Sequence, residues 1–245
     1  MPARAGCSRW VAEDLPSGRF CTKSRKSTGV AMIAPRFRSA VNDDARPFGT
    51  HRFDVFGPKV DRPLTLYGLN AFYLWLRLEA DSRVRTYCER PMRIPDTRPT
   101  RAVDFWVLEE GQERMLIVLR PSEAAAAAQG VKPFPAFEMW SRTHSMVLRT
   151  LYPDVLDDPE VLRRNRLTML RYLAASACEC CDAFGPEILG ACRDGLTLGE
   201  IEHRLAPLDP TVSRAAAFKL VLRGALHCPT RATRSLGPHS VLVTR

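Results

Sequence analysis

Two β-rich runs, Val103-Asp104-Phe105-Trp106-Val107-Leu108 and Met115 to Leu119, flank the turn Glu109-Glu110-Gly111-Gln112. Branched and aromatic runs joined by a short glycine-containing loop signal a β-hairpin. This hairpin constrains the rest of the fold, because a helical pattern precedes it and others follow it. Upstream, Leu69, Phe72, Trp75, Leu76 and Leu78 recur at helical spacing, with Asn70, Tyr73 and Arg77 on a second stripe. The spacing predicts a helix from about Leu69 to Ala80, closed by Asp81-Ser82-Arg83, then a strand from Val84 to Tyr87. Downstream, Ser122 and Glu123 open an alanine-rich helix that Gly130 and Pro133 end. Phe137 to His144 reads as a short helix, and Ser145 to Thr150 as a third core strand. Helix, strands, helix and strand describe an α/β domain, placed at residues 51–155.

A helical and winged-helix domain is expected over residues 156–245. Asp157-Asp158-Pro159-Glu160 caps a long helix with Leu162, Leu167, Leu170, Leu173 and Ala177 on its buried side. Thr197-Leu198-Gly199-Glu200 is a capping box that starts a helix through Leu205. Asp209-Pro210 opens the next helix, which ends at Gly224. Leu226-His227-Cys228 and Ser240 to Val243 read as two strands around a loop, completing the two-helix and wing pattern.

The chain carries 36 basic against 27 acidic residues, a formal charge of +9, which favours polyanionic partners and nucleic acid above all. Arginine accounts for 31 of the basic residues, a bias that coding composition explains as readily as phosphate binding. Residues 1–50 show no sustained periodicity and hold nine basic against four acidic residues, which reads as a disordered basic arm. Apolar runs such as Ala31 to Ala34 or Ala124 to Ala128 are far too short to cross a bilayer. Nothing after Met1 fits a signal peptide, so a cytoplasmic bacterial protein is expected. The eight cysteines then read as reduced thiols. Cys178 and Cys181 have zinc-ligand spacing, with Cys192, His203, His227 and Cys228 as further candidates. Their place on an apolar helical stripe favours core filling over zinc.

Several further stretches carry a likeness, in order along the chain. They are Leu78-Glu79-Ala80-Asp81-Ser82-Arg83-Val84 with Tyr87-Cys88-Glu89-Arg90-Pro91, then Asp104-Phe105-Trp106-Val107 and Ile117-Val118-Leu119-Arg120-Pro121. Arg164-Asn165 with Leu170-Arg171-Tyr172, Leu198-Gly199-Glu200 and Leu222-Arg223-Gly224-Ala225-Leu226 continue it. Together, from about Leu64 to Val243, they resemble the TnsA-like transposon endonuclease family. The resemblance implies a restriction-endonuclease-like core of the PD-(D/E)xK type, cutting DNA with Mg²⁺ or Mn²⁺.

Carried over residue by residue, Asp104 matches the family's Asp, Val118 stands at its Glu, and Arg120 stands at its Lys. The family's helical Glu falls at Asn70 or Ala71. Magnesium needs oxygen ligands, usually with one or two carboxylates, and a valine offers none. Arg120 keeps the charge and can clamp a phosphate, but it cannot give up a proton to act as a base. Glu89, Glu109 and Glu123 are the carboxylates open to stand in, with Glu109 placed in the turn, and Asp104 would be the metal ligand of an active enzyme. The resemblance therefore implies a catalytically inactive TnsA-like subunit in DNA transposition, with no cofactor. It would hold transposon-end DNA and dock the transposase and ATPase subunits. The alternatives are an active metal-dependent DNA endonuclease and a winged-helix DNA-binding regulator. Arg120, and Arg214, Lys219 and Arg223 on the second helix of the winged-helix pattern, are the expected DNA contacts.

Overall fold

In the computed structural model, residues 37, 49–98, 100–176, 182–206 and 208–244 are described. The fold is mixed α/β. Its first element is a hairpin that the sequence pattern did not signal, β1 (Arg52–Gly57) paired antiparallel with β2 (Arg62–Tyr67). Helix α1 (Leu69–Ala80) follows immediately, after Gly68 at φ 86°. Next come β3 (Val84–Glu89), the short ribbon β4 (Arg93–Ile94) with β5 (Arg101–Ala102), β6 (Phe105–Glu109) and β7 (Gln112–Val118). Glu109 pairs with Gln112, leaving a two-residue turn of Glu110 at φ 50° and Gly111 at φ 83°. Two positive-φ residues match the right-handed strand twist, which is why Gly stands second in this turn.

Helices α2 (Pro121–Ala128) and α3 (Pro135–Thr143) cross back to β8 (Val147–Leu151). The central sheet has the order β3-β6-β7-β8; its first three strands are antiparallel, and β8 runs parallel to β7. A parallel neighbour requires such a long crossover. The period-two alternation sorts β6 and β7 between two apolar clusters. Phe105, Val107, Leu116 and Val118 join α1, while Trp106, Leu108, Met115 and Ile117 join Phe134 and Phe137. Phe37, within the segment read as an arm, lies 5.7 Å from Trp106 between ring centroids and adds to the second cluster. The rest of that arm, apart from Gly49 and Thr50, lies outside the described residues.

The C-terminal elements are α4 (Glu160–Ala175), α5 (Gly185–Ala191), β9 (Leu196–Thr197), α6 (Leu198–Arg204), α7 (Pro210–Leu222), β10 (Leu226–His227) and β11 (Val241–Thr244). Their strands form a sheet of order β10-β11-β9. The capping box forms as expected: the Glu200 amide donates to Thr197 Oγ1 at 3.2 Å, and the Thr197 amide donates to Glu200 Oε2 at 2.8 Å. Asp209 caps α7 by accepting from the Thr211 amide at 2.7 Å. Asn165 of α4 is buried and laces the loop between β10 and β11. Its Nδ2 donates to the carbonyls of Arg231 (2.8 Å) and Arg234 (2.7 Å), and its Oδ1 accepts from the Leu236 amide (3.0 Å). The larger apolar cluster runs without a break from Leu64 and α1 through α4 to α7 and Leu242. No helix among the described residues is long and apolar enough to cross a membrane.

Candidate functional site

The helix, the hairpin and the ribbon meet around one cavity of about 790 Å³. Its wall is built from the first turn of α1, the ends of β3 and β7, the β4–β5 ribbon and the start of α2. Asn70, Ala71, Asp104, Val118 and Arg120, separate in sequence, all line it. Leu69, assigned to the apolar stripe of α1, lies 47% exposed because this first turn faces the cavity instead of the core.

The wall is largely apolar and carries four arginines, a histidine and two acids. Arg90, Arg93, Arg101 and Arg120 face two acids, Glu89 and Asp104. Each acid already has an arginine: Arg62 Nη1 donates to Glu89 Oε1 at 2.6 Å, and Arg101 Nη2 donates to Asp104 Oδ2 at 3.0 Å. Arg90 also stands 5.0 Å over the Tyr67 ring. The α1 N-terminus has neither a side-chain cap nor an acidic residue in its first turn, so its positive dipole end is turned toward the cavity.

Arg101 holds the centre of this arrangement, and its side chain is only 9% exposed. Nη2 donates to Asp104 Oδ2 and to the Val118 carbonyl, both at 3.0 Å, and Nη1 donates to Glu123 Oε2 at 2.8 Å. Asp104 Oδ2 also accepts from the Val118 amide at 2.7 Å, and Glu123 Oε2 from the Arg120 amide at 2.8 Å. Desolvation pushes the Asp104 carboxyl above the usual aspartate range, against the pull of Arg101 and the Val118 amide. The ribbon that presents Arg101 is itself fixed. Thr97 Oγ1 accepts from the Arg101 amide at 2.9 Å, and Asp96 accepts from the first amides of α3, Ala136 at 3.0 Å and Phe137 at 2.8 Å.

This residue set does not fit a divalent metal as it stands. Val118 and Ala71 carry no side-chain oxygen, and a guanidinium already binds the oxygens that are present. Among the described residues no three His, Cys, Asp or Glu side chains gather to hold an ion. Of the stand-in carboxylates, Glu123 shares Arg101 with Asp104, and Glu89 lines the cavity under Arg62. Glu109 ends β6, rather than lying in the turn, and pairs with Arg114 at 3.0 Å.

The structure keeps the three cations of α7 away from this cavity. The sequence spacing put Arg214, Lys219 and Arg223 on one outward face, yet α7 is buried over residues 215–222. Arg214 pairs with Glu202 and donates to Tyr172 Oη at 2.8 Å. Lys219 Nζ and Arg223 Nη1 both reach Asp182, at 2.9 and 3.0 Å. Lys219 is buried with its charge on Asp182, while Arg223, just past the helix end, is exposed and shares that acid. Cys192 and Cys228 are buried free thiols, and burial pushes Cys192 above the usual thiol range. Cys178 and Cys181 lie outside the described residues.

Sequence reasoning missed the role of Arg101. The available signal was Arg90, Arg93, Arg98 and Arg101 accumulating before Asp104, with Asp96 the one acid among them. No family model matches this chain, and no curated protein matches it.

Proposed function

We propose that the protein is a catalytically inactive, nuclease-like DNA-binding subunit of a TnsA-like transposase, whose cavity grips a phosphodiester without cutting it. One observation carries the reading: arginines and the bare end of α1 surround a cavity whose two acids are each already paired with an arginine. Such a wall attracts phosphate, while the carboxylates that could ligate a metal or serve as a base are occupied by guanidinium groups. The order helix, strands, helix and strand, which the resemblance links to a restriction-endonuclease-like core, supports it further. The C-terminal elements β9, α6, α7, β10 and β11 support a winged-helix reading. With its helical cations held internally, that unit is proposed to dock the transposase and ATPase subunits rather than to read DNA.

The active-endonuclease reading draws on one observation, the convergence of Asp104 and Glu123 on a single guanidinium. Supercoiled plasmid with Mg²⁺ or Mn²⁺, alone and with the products of neighbouring genes, separates the two readings. The inactive reading expects no cleavage, and DNA affinity that falls steeply with salt as bound counterions cease to drive association. Metal-dependent cleavage abolished by Asp104→Ala overturns it, as does binding that ignores salt.

A further inference from the structure

We infer that Arg101 is a built-in cation. Its guanidinium takes the place of a divalent ion between Asp104, Glu123 and the Val118 carbonyl, and it is the residue that shuts metal out of the cavity. Calling that ion a nuclease metal rests on the reading above; the cation site itself rests on geometry alone.

Three oxygen donors from three separate segments meet here: the residue before β6, the last residue of β7 and the first turn of α2. Carboxylate and carbonyl oxygens without nitrogen or sulfur are the donor chemistry that hard divalent cations select. The guanidinium satisfies all three at 2.8 to 3.0 Å with its side chain 9% exposed. Its seat is prepared by the Thr97 and Asp96 contacts of the ribbon. A guanidinium keeps its charge across the accessible pH range, so raising the pH does not release the oxygens. It supplies one fixed positive charge, which offsets the charge of Asp104 and Glu123. A guanidinium does not coordinate water as a metal does, so it cannot generate the hydroxide that a metal would. The missing acids are therefore not the whole cause. Restoring the family's Glu and Lys with Val118→Glu and Arg120→Lys leaves the cation place filled.

The test is a Mn²⁺ titration of the full-length protein, followed by electron paramagnetic resonance of free Mn²⁺ and by calorimetry. The wild type and the Val118→Glu/Arg120→Lys variant are expected to take up none. Arg101→Ala is expected to bind Mn²⁺ at least about tenfold more tightly than the wild type. Adding Glu123→Gln should abolish that gain, and free guanidinium at millimolar concentration should compete with it. Circular dichroism checks folding; if Arg101→Ala does not fold, the neutral Arg101→Gln carries the same expectation. Uptake of Mn²⁺ by the wild type that Asp104→Ala removes overturns the inference. So does a folded Arg101 variant that binds none, or that binds with no response to guanidinium. None of these readouts involves DNA, so failure of the DNA-binding reading is seen separately, in the salt titration.

Discussion

The cavity and helix α7 are both arginine-bearing, yet the fold places their cations differently. Around the cavity, Arg90, Arg93 and Arg120 line a concave wall beside the uncapped end of α1. On α7, Arg214, Lys219 and Arg223 are taken up by Glu202, Tyr172 and Asp182. The formal charge of +9 counts both groups alike. The fold sets one group on the wall of a cavity and the other along a buried helix, where it ties elements of the chain together. Within the cavity pairing recurs, because Arg62 and Arg101 meet the acids Glu89 and Asp104.

The largest effect that would test this contrast lies on α7. Lys219→Glu sets a carboxylate in a site only 8% exposed, opposite Asp182, and is expected to cost about 3 kcal/mol or more in urea denaturation. DNA affinity of the folded fraction should not change. A loss of affinity with stability intact would make α7 a DNA reader and erase the contrast.

A second effect concerns the core that joins the two regions. Tyr87 Oη donates to Glu79 Oε1 at 2.6 Å, and Trp75 Nε1 donates to Tyr87 Oη at 2.9 Å. Burial raises the Glu79 carboxyl from 4.5 to about 7, while the hydrogen bond from Tyr87 and the charge of Lys59 oppose it. Burial lowers Lys59 from 10.5 to about 8, while Glu79 and Asp81 oppose it. The folded state thus binds a proton at Glu79 more tightly than the unfolded chain. Its contribution is full below pH 4.5 and is lost as the pH rises through about 7, on the order of 3 kcal/mol. Lys59 works the other way, and stability regains ground between about 8 and 10.5. Denaturation midpoints from pH 4 to 8 should fall for the wild type and stay level for Glu79→Gln.

Asn165→Ala removes three hydrogen bonds that hold the β10–β11 loop, and is expected to cost about 2 kcal/mol. Proteolysis within residues 231–236 should accelerate alongside, and DNA affinity should not respond. The smallest change in stability belongs to the cavity wall. Exposed Arg120→Ala should alter stability by less than about 0.5 kcal/mol. The same variant should weaken DNA binding severalfold and flatten the log–log salt slope by about 1. An unchanged slope would place the phosphate contacts elsewhere and break the comparison from the other side.

Much of the fold was legible because its signals act within a turn of chain. Glu110-Gly111 dictates a two-residue hairpin, Thr197 and Glu200 close a capping box, and Pro210 and Gly224 bracket α7, each through contacts among near neighbours. The stripe from Phe72 to Leu78 marks α1 for the same reason, since 3.6-residue periodicity needs no knowledge of the partner surface. The β1–β2 hairpin escaped notice: Asp61 adopts φ 51° without a glycine, and Phe53 declares its role only by stacking 4.6 Å from Phe72. The grouping of Asn70, Asp104, Val118 and Arg120 was readable only as an ordered likeness along the chain; their meeting at one cavity is a tertiary fact. So is Arg101 between Asp104 and Glu123, because the two acids come from segments 19 residues apart in the numbering. Spacing on α7 showed which cations are neighbours, but whether they face solvent or Asp182 depends on which surface the rest of the chain covers. Local geometry is decided by a few adjacent torsions and is written into adjacent residues. Which charge meets which carboxylate is decided by the burial of surfaces distant in sequence, and only the folded structure determines it.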